Sequence, residues 1–410
     1  MIANRPTVIS DFSTLLNGDG PIGVAVSGGG DSVALLYQLA DWGRRPLHVF
    51  HVDHALQADS GLWADAVAAH AKHLKLSFTR LTWSGDKPTT GISAAARGAR
   101  HALLAEAARA AGIKVVCLAH TCDDVAEAAY MRQHGSNVGT PQTWSPSPVW
   151  PHGRGVFLCR PLLSARRADL RQYLMDRKLS WIDDPANENA KSLRVQARQA
   201  LLGLTSAPLP PPVRLPRGEV ETLLHDPEGW SALGLLRFKA DAFYQLPNDT
   251  ALHLLATAAV CAGGGDRLPR RHKVETLYES LADGRSHTLA GARIRQAGGF
   301  IHVLREAGDI GRNAEPGQGD LWDGRFQLLG RVVATGRDRG RLDDRDRAFL
   351  RTLPPDLRAS LPAMEVSGPH LALPLYGLPG QKHNETVTTS CWVLPRLLAS
   401  VCRIERETDL

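Results

Sequence analysis

The chain has few cysteines for its length, and their spacing excludes several kinds of site. Six occur among 410 residues, and no two of them form a CxxC pair. A disulfide framework and a four-cysteine zinc or iron–sulfur site both need cysteines in closer, paired arrangements. The cysteines are therefore predicted to be buried, reduced thiols, which is typical of a cytosolic protein.

Long apolar runs are also missing. No stretch of 18 apolar residues occurs, and MIANRPTVISDF at the start lacks a basic segment followed by an apolar one. We therefore expect a cytoplasmic protein with no membrane partner. Hydrophobic residues make up 43% and charged residues 22%, the balance of a globular chain that buries a core. The net charge of +6 favours a polyanionic partner without requiring one.

The first 200 residues alternate short β-rich runs with longer helical patterns, as in LHVFHVD followed by SGLWADAVAAHAKHL. This alternation predicts an α/β fold in which a parallel sheet has helices on both faces and binds ligands at the carboxyl ends of its strands. A stretch rich in Pro, Gly and Trp at 140–155 is predicted to be a loop. Five of the nine residues at 208–216 are proline, which indicates a linker. The predicted domains are an α/β domain at 1–205, a linker at 206–218, a smaller helical and mixed domain at 219–310 and a mixed C-terminal extension at 311–410.

Three consecutive glycines lie in SGGGDS, Ser27 to Ser32, between a β-branched run and a helical one. Bare backbone at a helix N-terminus lets N–H groups approach a phosphate closely, so the motif indicates an anion site. A dinucleotide fingerprint would need glycine where Val33 stands, and a Walker A loop needs a lysine that the motif lacks. The two serine hydroxyls can bond phosphate oxygens, whereas Asp31 would repel phosphate unless a divalent metal lay between them.

The motif resembles the SGGxDS signature of the PP-loop ATP pyrophosphatases. Other stretches resemble one of their families, the tRNA(Ile)-lysidine synthetases. HVDHALQADS at 51–60 is similar to the family's HVDHxLRxxS, with Gln57 in place of arginine. LAHTCDDVAEAAYMRQHGS at 118–136 is similar to LAHxxDDQAETxxxRxxRGS. Arg132, Gly135 and Ser136 match this pattern, whereas Val125 and Ala128 depart from it and Gln133–His134 lack its second basic residue.

Two arginine-containing stretches extend the resemblance. AAARGARHALL at 94–104 is similar to the family's AARxxRYxxL. CRPLLSARRADLRQYLMDRKLSWIDDPANENAKSLRVQAR at 159–198 is similar to RPLLxxxRxxIxxYxxxxxxxWxxDPSNxDxxFxRNxxR, with Val195 in place of asparagine. The resemblance is strong over about 200 residues and implies a PP-loop fold for the first domain.

What the resemblance implies for the site begins with ATP and Mg²⁺. The residues expected to contact ATP are Ser27, Gly28, Gly29, Gly30, Asp31, Ser32, Val52 and Asp53. Asp31 is also the expected Mg²⁺ ligand. Asp124 and Glu127 lie three apart on a helix, so their carboxylates share a face and could bind the ammonium group of free L-lysine. The expected catalytic residues are Asp31, His120, Asp124 and Glu127. As alternatives, Asp123 and Asp124 could cap the helix N-terminus, and the histidines could be ordinary structural residues.

Arginines in several of these stretches are candidates for contacts with tRNA or other phosphates. Solvated helix surfaces are the alternative explanation. The candidates are Arg97, Arg100, Arg132, Arg160, Arg166, Arg194, Arg198, Arg270 and Arg271. The last two belong to DRLPRRHK at 266–273, which makes the second domain a candidate tRNA-binding domain.

The resemblance implies a two-step ligation. The 2-oxygen of the first anticodon cytidine of an isoleucine tRNA with a CAU anticodon attacks the α-phosphate of ATP, and the ε-amine of lysine then displaces AMP. A tRNA-thiolating PP-loop enzyme is the nearest rival, but such enzymes generally rely on cysteine pairs. An ammonia-dependent amide-forming relative would not need the arginine-rich segment or the trailing domains. A non-catalytic tRNA-binding relative would be expected to lose the metal-binding acid, which is present here as Asp31.

Overall fold

A computed structural model describes residues 12–56, 60–136, 138–183, 193–201, 214–312, 321–328, 332–367, 370–374 and 390–410. The chain forms two compact units, Met1–Pro212 with Ile404–Leu410 and Val213–Arg403. Residues 206–213 of the expected linker lie outside the described residues, and the four domain ranges stay a prediction. The segment 404–410, assigned above to the C-terminal extension, belongs to the first unit. Within the described part of the chain, no helix is both long and apolar enough to cross a membrane.

The first unit is built on a six-stranded sheet. Its strands are β1 (Ile22–Ala25), β2 (Leu47–Asp53), β3 (Ser77–Thr82), β4 (Val115–Cys117), β5 (Trp144–Pro146) and β6 (Phe157–Cys159). Their order is β3-β2-β1-β4-β6-β5, and every neighbouring pair is parallel except β5 with β6. At the centre, Val24 of β1 pairs with Val49 of β2 and with Cys117 of β4. The predicted α/β class with a parallel sheet is confirmed.

Helices cover both faces of this sheet. They are α1 (Phe12–Leu15), α2 (Gly30–Trp42), α3 (Ser60–His73), α4 (Ile92–Ala110), α5 (Cys122–Gln133), α6 (Arg167–Asp176) and α7 (Leu193–Ala200). On β2, Val49 belongs to the core that includes α2 and α3, whereas the next residue, Phe50, packs against Leu104 of α4. Successive side chains of a strand point to opposite faces of the sheet. Because helices cover both faces here, adjacent positions of LHVFHVD such as Val49 and Phe50 are both apolar.

The stretch at 140–155, which the sequence analysis predicted to be a loop, contains the edge strand β5. Trp144 begins this strand and is buried. Pro146 ends it, and proline is compatible with an edge strand because one side of that strand makes no ladder hydrogen bonds. The loop prediction was therefore wrong for these three residues, since the local abundance of proline concealed a short strand.

The segment 404–410 completes the core of the first unit. Ile404 and Leu410 pack against the same cluster as α2 and α6. Glu407 forms an ion pair with Arg45, and Trp144 Nε1 donates to the carbonyl oxygen of Glu405 at 3.2 Å. Asn17 and Thr408 also form hydrogen bonds with each other, which joins residues 391 positions apart in the chain.

The second unit combines helices with three small sheets. Its helices are α8 (Arg217–Leu223), α9 (Ala240–Tyr244), α10 (Asn248–Gly263), α11 (Arg271–Ser280), α12 (Thr335–Asp338), α13 (Asp344–Thr352), α14 (Pro355–Arg358) and α15 (Val393–Val401). Its strands are β7 (Leu236–Lys239), β8 (His287–Leu289), β9 (Ala292–Ala297), β10 (Phe300–Arg305), β11 (Leu321–Trp322), β12 (Phe326–Gln327), β13 (Val332–Ala334), β14 (Pro362–Ser367), β15 (His370–Ala372) and β16 (Ser390–Cys391). The sheet orders are β7-β10-β9-β8, β11-β12-β16 and β13-β14-β15.

Helix α10 is apolar almost all round and lies in the core with β9, β10 and α15. A separate core includes α13 and α14. Between its elements, the buried carboxylate of Asp323 accepts hydrogen bonds from Arg305 Nε at 2.9 Å and Arg325 Nε at 2.8 Å. Such a paired, buried charge fixes the local arrangement of the chain, because breaking the pair would leave an uncompensated charge inside the protein.

Candidate active site

The SGGGDS motif forms the turn between β1 and α2, at the carboxyl edge of the sheet. Gly28 has a φ of +96°, in the left-handed region that favours glycine. A Cβ at this position would lie 2.6 Å from Ile182 Cδ1, and the Ile182 N–H donates to the Gly28 carbonyl at 2.9 Å. The backbone conformation therefore favours glycine at this position, and any larger residue would also displace the end of the Ile182 side chain.

The two serines of the motif have different surroundings. Ser32 is buried, and its hydroxyl donates to the carbonyl of Gly29 at 2.9 Å. The Ser27 N–H donates to Ser32 Oγ at 3.2 Å. Ser32 thus holds the turn in place, whereas exposed Ser27 has the hydroxyl that can reach a bound phosphate.

Helix α5 presents the predicted carboxylates. Asp124 Oδ2 accepts from the Thr121 N–H at 2.9 Å and from Thr121 Oγ1 at 3.0 Å, so Asp124 does cap the helix, as the alternative reading held. Asp123 Oδ2 accepts from the backbone N–H of Arg167 at 2.8 Å, which ties α6 to α5. Glu127 lies one turn further along α5, and only 1% of it is exposed.

One guanidinium group connects these carboxylates to the glycine-rich loop. Arg167 Nε lies 3.0 Å from Asp31 Oδ2, and its Nη1 lies 3.0 Å from Glu127 Oε1. Its Nη2 lies 3.6 Å from Asp124 Oδ1. The predicted metal-binding acid and the predicted lysine-binding pair are therefore brought together around one cation.

Arg167 was not among the predicted site residues, which instead included Arg166. Arg166 is the residue immediately before α6, and Arg167 is the first residue of the helix. In the family pattern RPLLxxxR, three residues separate RPLL from the next arginine, which therefore falls at position 167. The assignment of the motif arginine to Arg166 was wrong by one residue.

Two further arginines bind Glu127. Arg198 Nε lies 2.9 Å from Oε1, and Arg194 Nε lies 3.5 Å from Oε2. Both residues are on α7 and were predicted to contact tRNA. In the described structure their guanidinium groups neutralise a buried carboxylate and join α7 to α5, and their contacts with tRNA stay a prediction.

Asp31 fits the expected role of a magnesium ligand. Its Oδ1 atom is enclosed and has no hydrogen-bond partner within the described residues. Burial raises the pKa of Asp31, and the charge of Arg167 offsets only part of that rise. No group of three or more His, Cys, Asp or Glu side chains among the described residues could hold a metal by itself. A single carboxylate suits Mg²⁺, which keeps several waters and binds largely through substrate phosphates.

Asp124 and Arg167 stay charged. Burial alone raises the pKa of Asp124, but the charges of His120 and Arg167 and the hydrogen bond from Thr121 together lower it. Burial likewise disfavours the charged form of Arg167, yet the three surrounding carboxylates raise its pKa above the usual arginine value. The site therefore holds an ionised Asp124 and an ionised Arg167 at neutral pH.

His120 lies beside this group in its neutral form. Burial and the charge of Arg160 lower the pKa of His120 to about 3, although Asp124 opposes that shift. Its Nδ1 atom is enclosed and has no hydrogen-bond partner in the described part of the chain. A neutral imidazole can donate or accept a hydrogen bond, but it is a far weaker general acid than an imidazolium.

Comparison with known proteins identifies the family. A family model described as a PP-loop domain matches residues 6–204. The chain is 40% identical over 360 residues to the tRNA(Ile)-lysidine synthase of Caulobacter vibrioides, which covers 84% of each protein. It is 36% identical over 331 residues to the enzyme of that name in Ruegeria pomeroyi, covering 77% of this chain and 78% of the relative. The chain belongs to the tRNA(Ile)-lysidine synthase family. The resemblance read from the sequence is thereby confirmed.

Val52 and Asp53, which are expected to contact ATP, lie at the end of β2, and the carboxylate of Asp53 has partners within the protein. Its Oδ1 accepts from the Ala55 N–H at 2.8 Å, and its Oδ2 pairs with Arg80 at 2.6 Å. Asp53 therefore holds the turn after β2. The neighbouring backbone of Val52 is left as the expected contact for adenine, and Gln57 lies outside the described residues.

The candidate phosphate contacts of the family fall into three groups. Arg97 and Arg100, on α4, form no ion pair with any described residue, and burial together with the charges of Arg97 and Arg194 lowers the pKa of Arg100 to about 10. Arg160 is buried and donates to the Gln142 carbonyl at 2.9 Å, and a tRNA or phosphate contact of this residue stays a prediction. Arg132 donates to the Val138 carbonyl at 3.4 Å.

Arg270 and Arg271 belong to the second unit. Arg271 is exposed and pairs with Asp249 and Glu275, each at 2.6 Å. A role for the two residues in tRNA binding stays a prediction. The matched family positions Asp184, Pro185 and Asn187 lie outside the described residues.

Proposed function

We propose that the chain ligates free L-lysine to the first anticodon cytidine of isoleucine tRNA with a CAU anticodon, through an adenylated tRNA, and releases AMP and pyrophosphate. The observation that supports this proposal best is the position of Arg167. Its guanidinium lies 3.0 Å from Asp31 of the glycine-rich loop and 3.0 Å from Glu127 of the acidic helix. A reaction that first uses ATP and then an amino acid needs these two kinds of site side by side.

In the first step, the loop between β1 and α2 would hold the phosphates of ATP. Backbone N–H groups at the start of α2 and the Ser27 hydroxyl would bond the pyrophosphate as it leaves, where negative charge accumulates. Asp31 would hold Mg²⁺ against the phosphates through its enclosed Oδ1 atom. When bound, Mg²⁺ supplies charge neutralisation on the phosphate oxygens.

In the second step, Asp124 and Glu127 would bind an ammonium group of lysine. In the described structure these carboxylates are neutralised by arginines, and Glu127 alone contacts Arg167, Arg194 and Arg198. A zwitterionic amino acid can exchange with such pairs without a net change of charge, because its ammonium replaces an arginine on a carboxylate while its own carboxylate binds the released arginine. Since its pKa is lowered, Asp124 would keep its charge and orient the ligand rather than accept a proton.

Purified protein incubated with unmodified isoleucine tRNA, ATP, Mg²⁺ and lysine tests the proposal. Nucleosides from the digested tRNA should include one heavier than cytidine by lysine minus water, and ATP labelled at the α-phosphate should yield AMP. Asp31→Asn should form neither product. Label in ADP would overturn the assignment. In a parallel incubation with a sulfide donor in place of lysine, a nucleoside in which sulfur replaces oxygen would favour the thiolating alternative.

A further inference from the structure

An aromatic and cationic surface lies at the ends of β2 and β3, apart from the carboxylate group. Trp83 follows β3 directly, and its N–H donates to the Asp53 carbonyl at 2.9 Å. The ring of His54 meets Trp83 edge to face, with centroids 6.1 Å apart. Lys87 Nζ lies 5.5 Å from the centroid of the indole ring. We call His54, Trp83 and Lys87 the Trp83 surface.

Core packing does not account for this surface. Trp83 belongs to none of the buried clusters formed by the described residues, and it is partly exposed, as are His54 and Lys87. The nearby apolar side chain of Leu56 is 48% exposed. Apolar and aromatic side chains left together at the surface mark a binding site more often than isolated ones do.

The backbone beneath the Trp83 surface is fixed. Ala55 has a φ of +48°, a conformation that needs support in a residue other than glycine. Asp53 Oδ1 accepts from the Ala55 N–H at 2.8 Å, and Lys87 Nζ donates to the Ala55 carbonyl at 2.7 Å. The surface is therefore preorganised before any ligand arrives, which reduces the entropy lost on binding.

Unpaired positive charge lies beside it. His54 is close enough to Arg100 that burial and the charge of this arginine lower the pKa of His54. Arg100 Nε and His54 Nδ1 are enclosed polar atoms with no hydrogen-bond partner among the described residues. The nearby carboxylate of Asp53 pairs with Arg80 instead, at 2.6 Å. The surface thus offers an aromatic ring next to cations that have no described anion to bind.

We propose that Trp83 stacks against a base of the tRNA anticodon loop next to the target cytidine, while Arg97 and Arg100 face the phosphates of that nucleotide. This inference rests on the proposed function. Bases stack on aromatic side chains whatever their identity, and adjacent cations bind the backbone that carries them. The adenine of ATP is the other candidate for the ring. The proposed function, however, places the phosphates of ATP at the loop after β1. Arg97 and Arg100 on α4 form no ion pair with any described residue, so they are available for the phosphates of a second ligand.

A labelled RNA hairpin that carries the CAU anticodon loop provides the test, with binding measured by fluorescence anisotropy in the absence of lysine. Trp83→Ala should weaken hairpin binding roughly 5- to 150-fold, the range measured for one stacked base. Trp83→Phe should restore most of the affinity, because it keeps an aromatic face. Met175→Ala is the matched control, since Met175 is 52% exposed at the end of α6 opposite to Arg167. It should leave hairpin binding unchanged, and ATP affinity should be the same in all four proteins.

Hairpins that lack a single base on either side of the cytidine identify the stacked position. Removal of that base should weaken binding to the unmodified protein but not to Trp83→Ala. Equal binding of all hairpins to the unmodified protein would overturn the proposal even if Trp83→Ala failed to fold. Weakened ATP binding with unchanged hairpin binding would assign the ring to adenine. Because these assays involve no ligation, failure to form lysidine would count against the proposed function and not against the stacking.

Discussion

Arg167 Nε lies 3.0 Å from Asp31 Oδ2, so a helix that begins after the last strand of the sheet contacts the loop that follows the first. The same guanidinium contacts Glu127 at 3.0 Å. A change of charge near Asp31, where ATP is expected to bind, should therefore affect Glu127, where the amino acid is expected to bind, through Arg167. Binding of either substrate should alter the surroundings of the other.

Replacing Arg167 tests this connection. Arg167→Ala should lower the rate of lysidine formation by about a hundredfold or more, because three carboxylates lose their shared partner and move from their positions. Arg166→Ala is the matched control, since it removes the neighbouring arginine without touching the carboxylates. Product formation by both variants is measured by mass spectrometry of digested tRNA. Similar losses in the two variants would contradict the assignment to position 167.

Glu127→Gln separates the two steps. The amide keeps the size of the side chain but removes the charge that binds an ammonium group, so the KM for lysine should rise by about tenfold or more. Transfer of labelled AMP to the tRNA should persist, because Glu127 belongs to the second step. Glu106→Gln, on the exposed side of α4, is the control. An unchanged KM for lysine would mean that the carboxylate only holds α7 in place.

The pKa directions predict opposite stability effects at Asp31 and Asp124. Burial raises the pKa of Asp31, so its ionised form destabilises the fold, and Asp31→Asn should raise the Tm at neutral pH. That gain should shrink as the pH falls through the raised folded-state pKa towards the ordinary value of 3.8, and it should vanish below 3.8, where the carboxyl is protonated in both states. The lowered pKa of Asp124 stabilises the fold above 3.8 and ceases to do so as the pH falls through the folded-state pKa. Asp124→Asn should therefore lower the Tm at neutral pH. Thermal melts of both variants from pH 4 to pH 8, at low salt, measure the direction of each change in Tm. A change in the same direction for both variants would contradict the opposite pKa shifts of Asp31 and Asp124.

Two glycines distinguish strain in the loop from a general effect of alanine. Gly28→Ala should cost about 1–3 kcal/mol of unfolding free energy, because φ is +96° and the new Cβ would lie 2.6 Å from Ile182 Cδ1. It should also weaken ATP binding, since the turn must shift. A Cβ at Gly20 would have no atom within 4 Å, so Gly20→Ala should change neither quantity. Urea unfolding and ATP titration give the comparison. If both variants unfold at the same urea concentration, the loop is not strained.

The parts of the site that could be predicted from sequence are local ones. SGGGDS lies within six residues, and Asp124 and Glu127 lie on one helix, so their neighbourhood follows from local conformation. The strand LHVFHVD matches β2 at both ends because its apolar run has clear boundaries. The family pattern also predicts an arginine at position 167, although the prediction named Arg166.

The remaining parts depend on contacts that no local pattern encodes. Nothing near Glu127 in the chain indicates that Arg194 and Arg198 bind it, because the partners are about 70 residues away. That Asp53 holds a turn could not be predicted from the sequence, because its partner Arg80 lies on the neighbouring strand. No pattern in the last hundred residues predicts that Ile404 packs in the core of the first unit, because this contact depends on how the whole chain folds.

That packing changes what a shortened chain should do. A fragment ending near Thr205 contains all six strands of the parallel sheet and should therefore bind ATP, but it lacks the core contacts of Ile404 and Leu410 and the ion pair of Glu407 with Arg45. Joining residues 404–410 to the fragment through a flexible linker should restore about 2 kcal/mol of unfolding free energy, the scale of one or two partly buried aliphatic side chains. Ile404→Ser in the joined fragment should remove most of that gain.

Both fragments should lose most of the affinity and selectivity for isoleucine tRNA, because they lack the second unit with Arg270 and Arg271. Fewer phosphates are neutralised by a fragment, so its binding should also fall less steeply with salt than that of the full chain. Filter binding at several salt concentrations, with a second tRNA as competitor, measures slope and selectivity together. Since the joined fragment has its core restored, a loss of tRNA binding that persists in it comes from the missing second unit and not from instability. Full affinity and selectivity in the joined fragment would instead assign tRNA recognition entirely to the first unit.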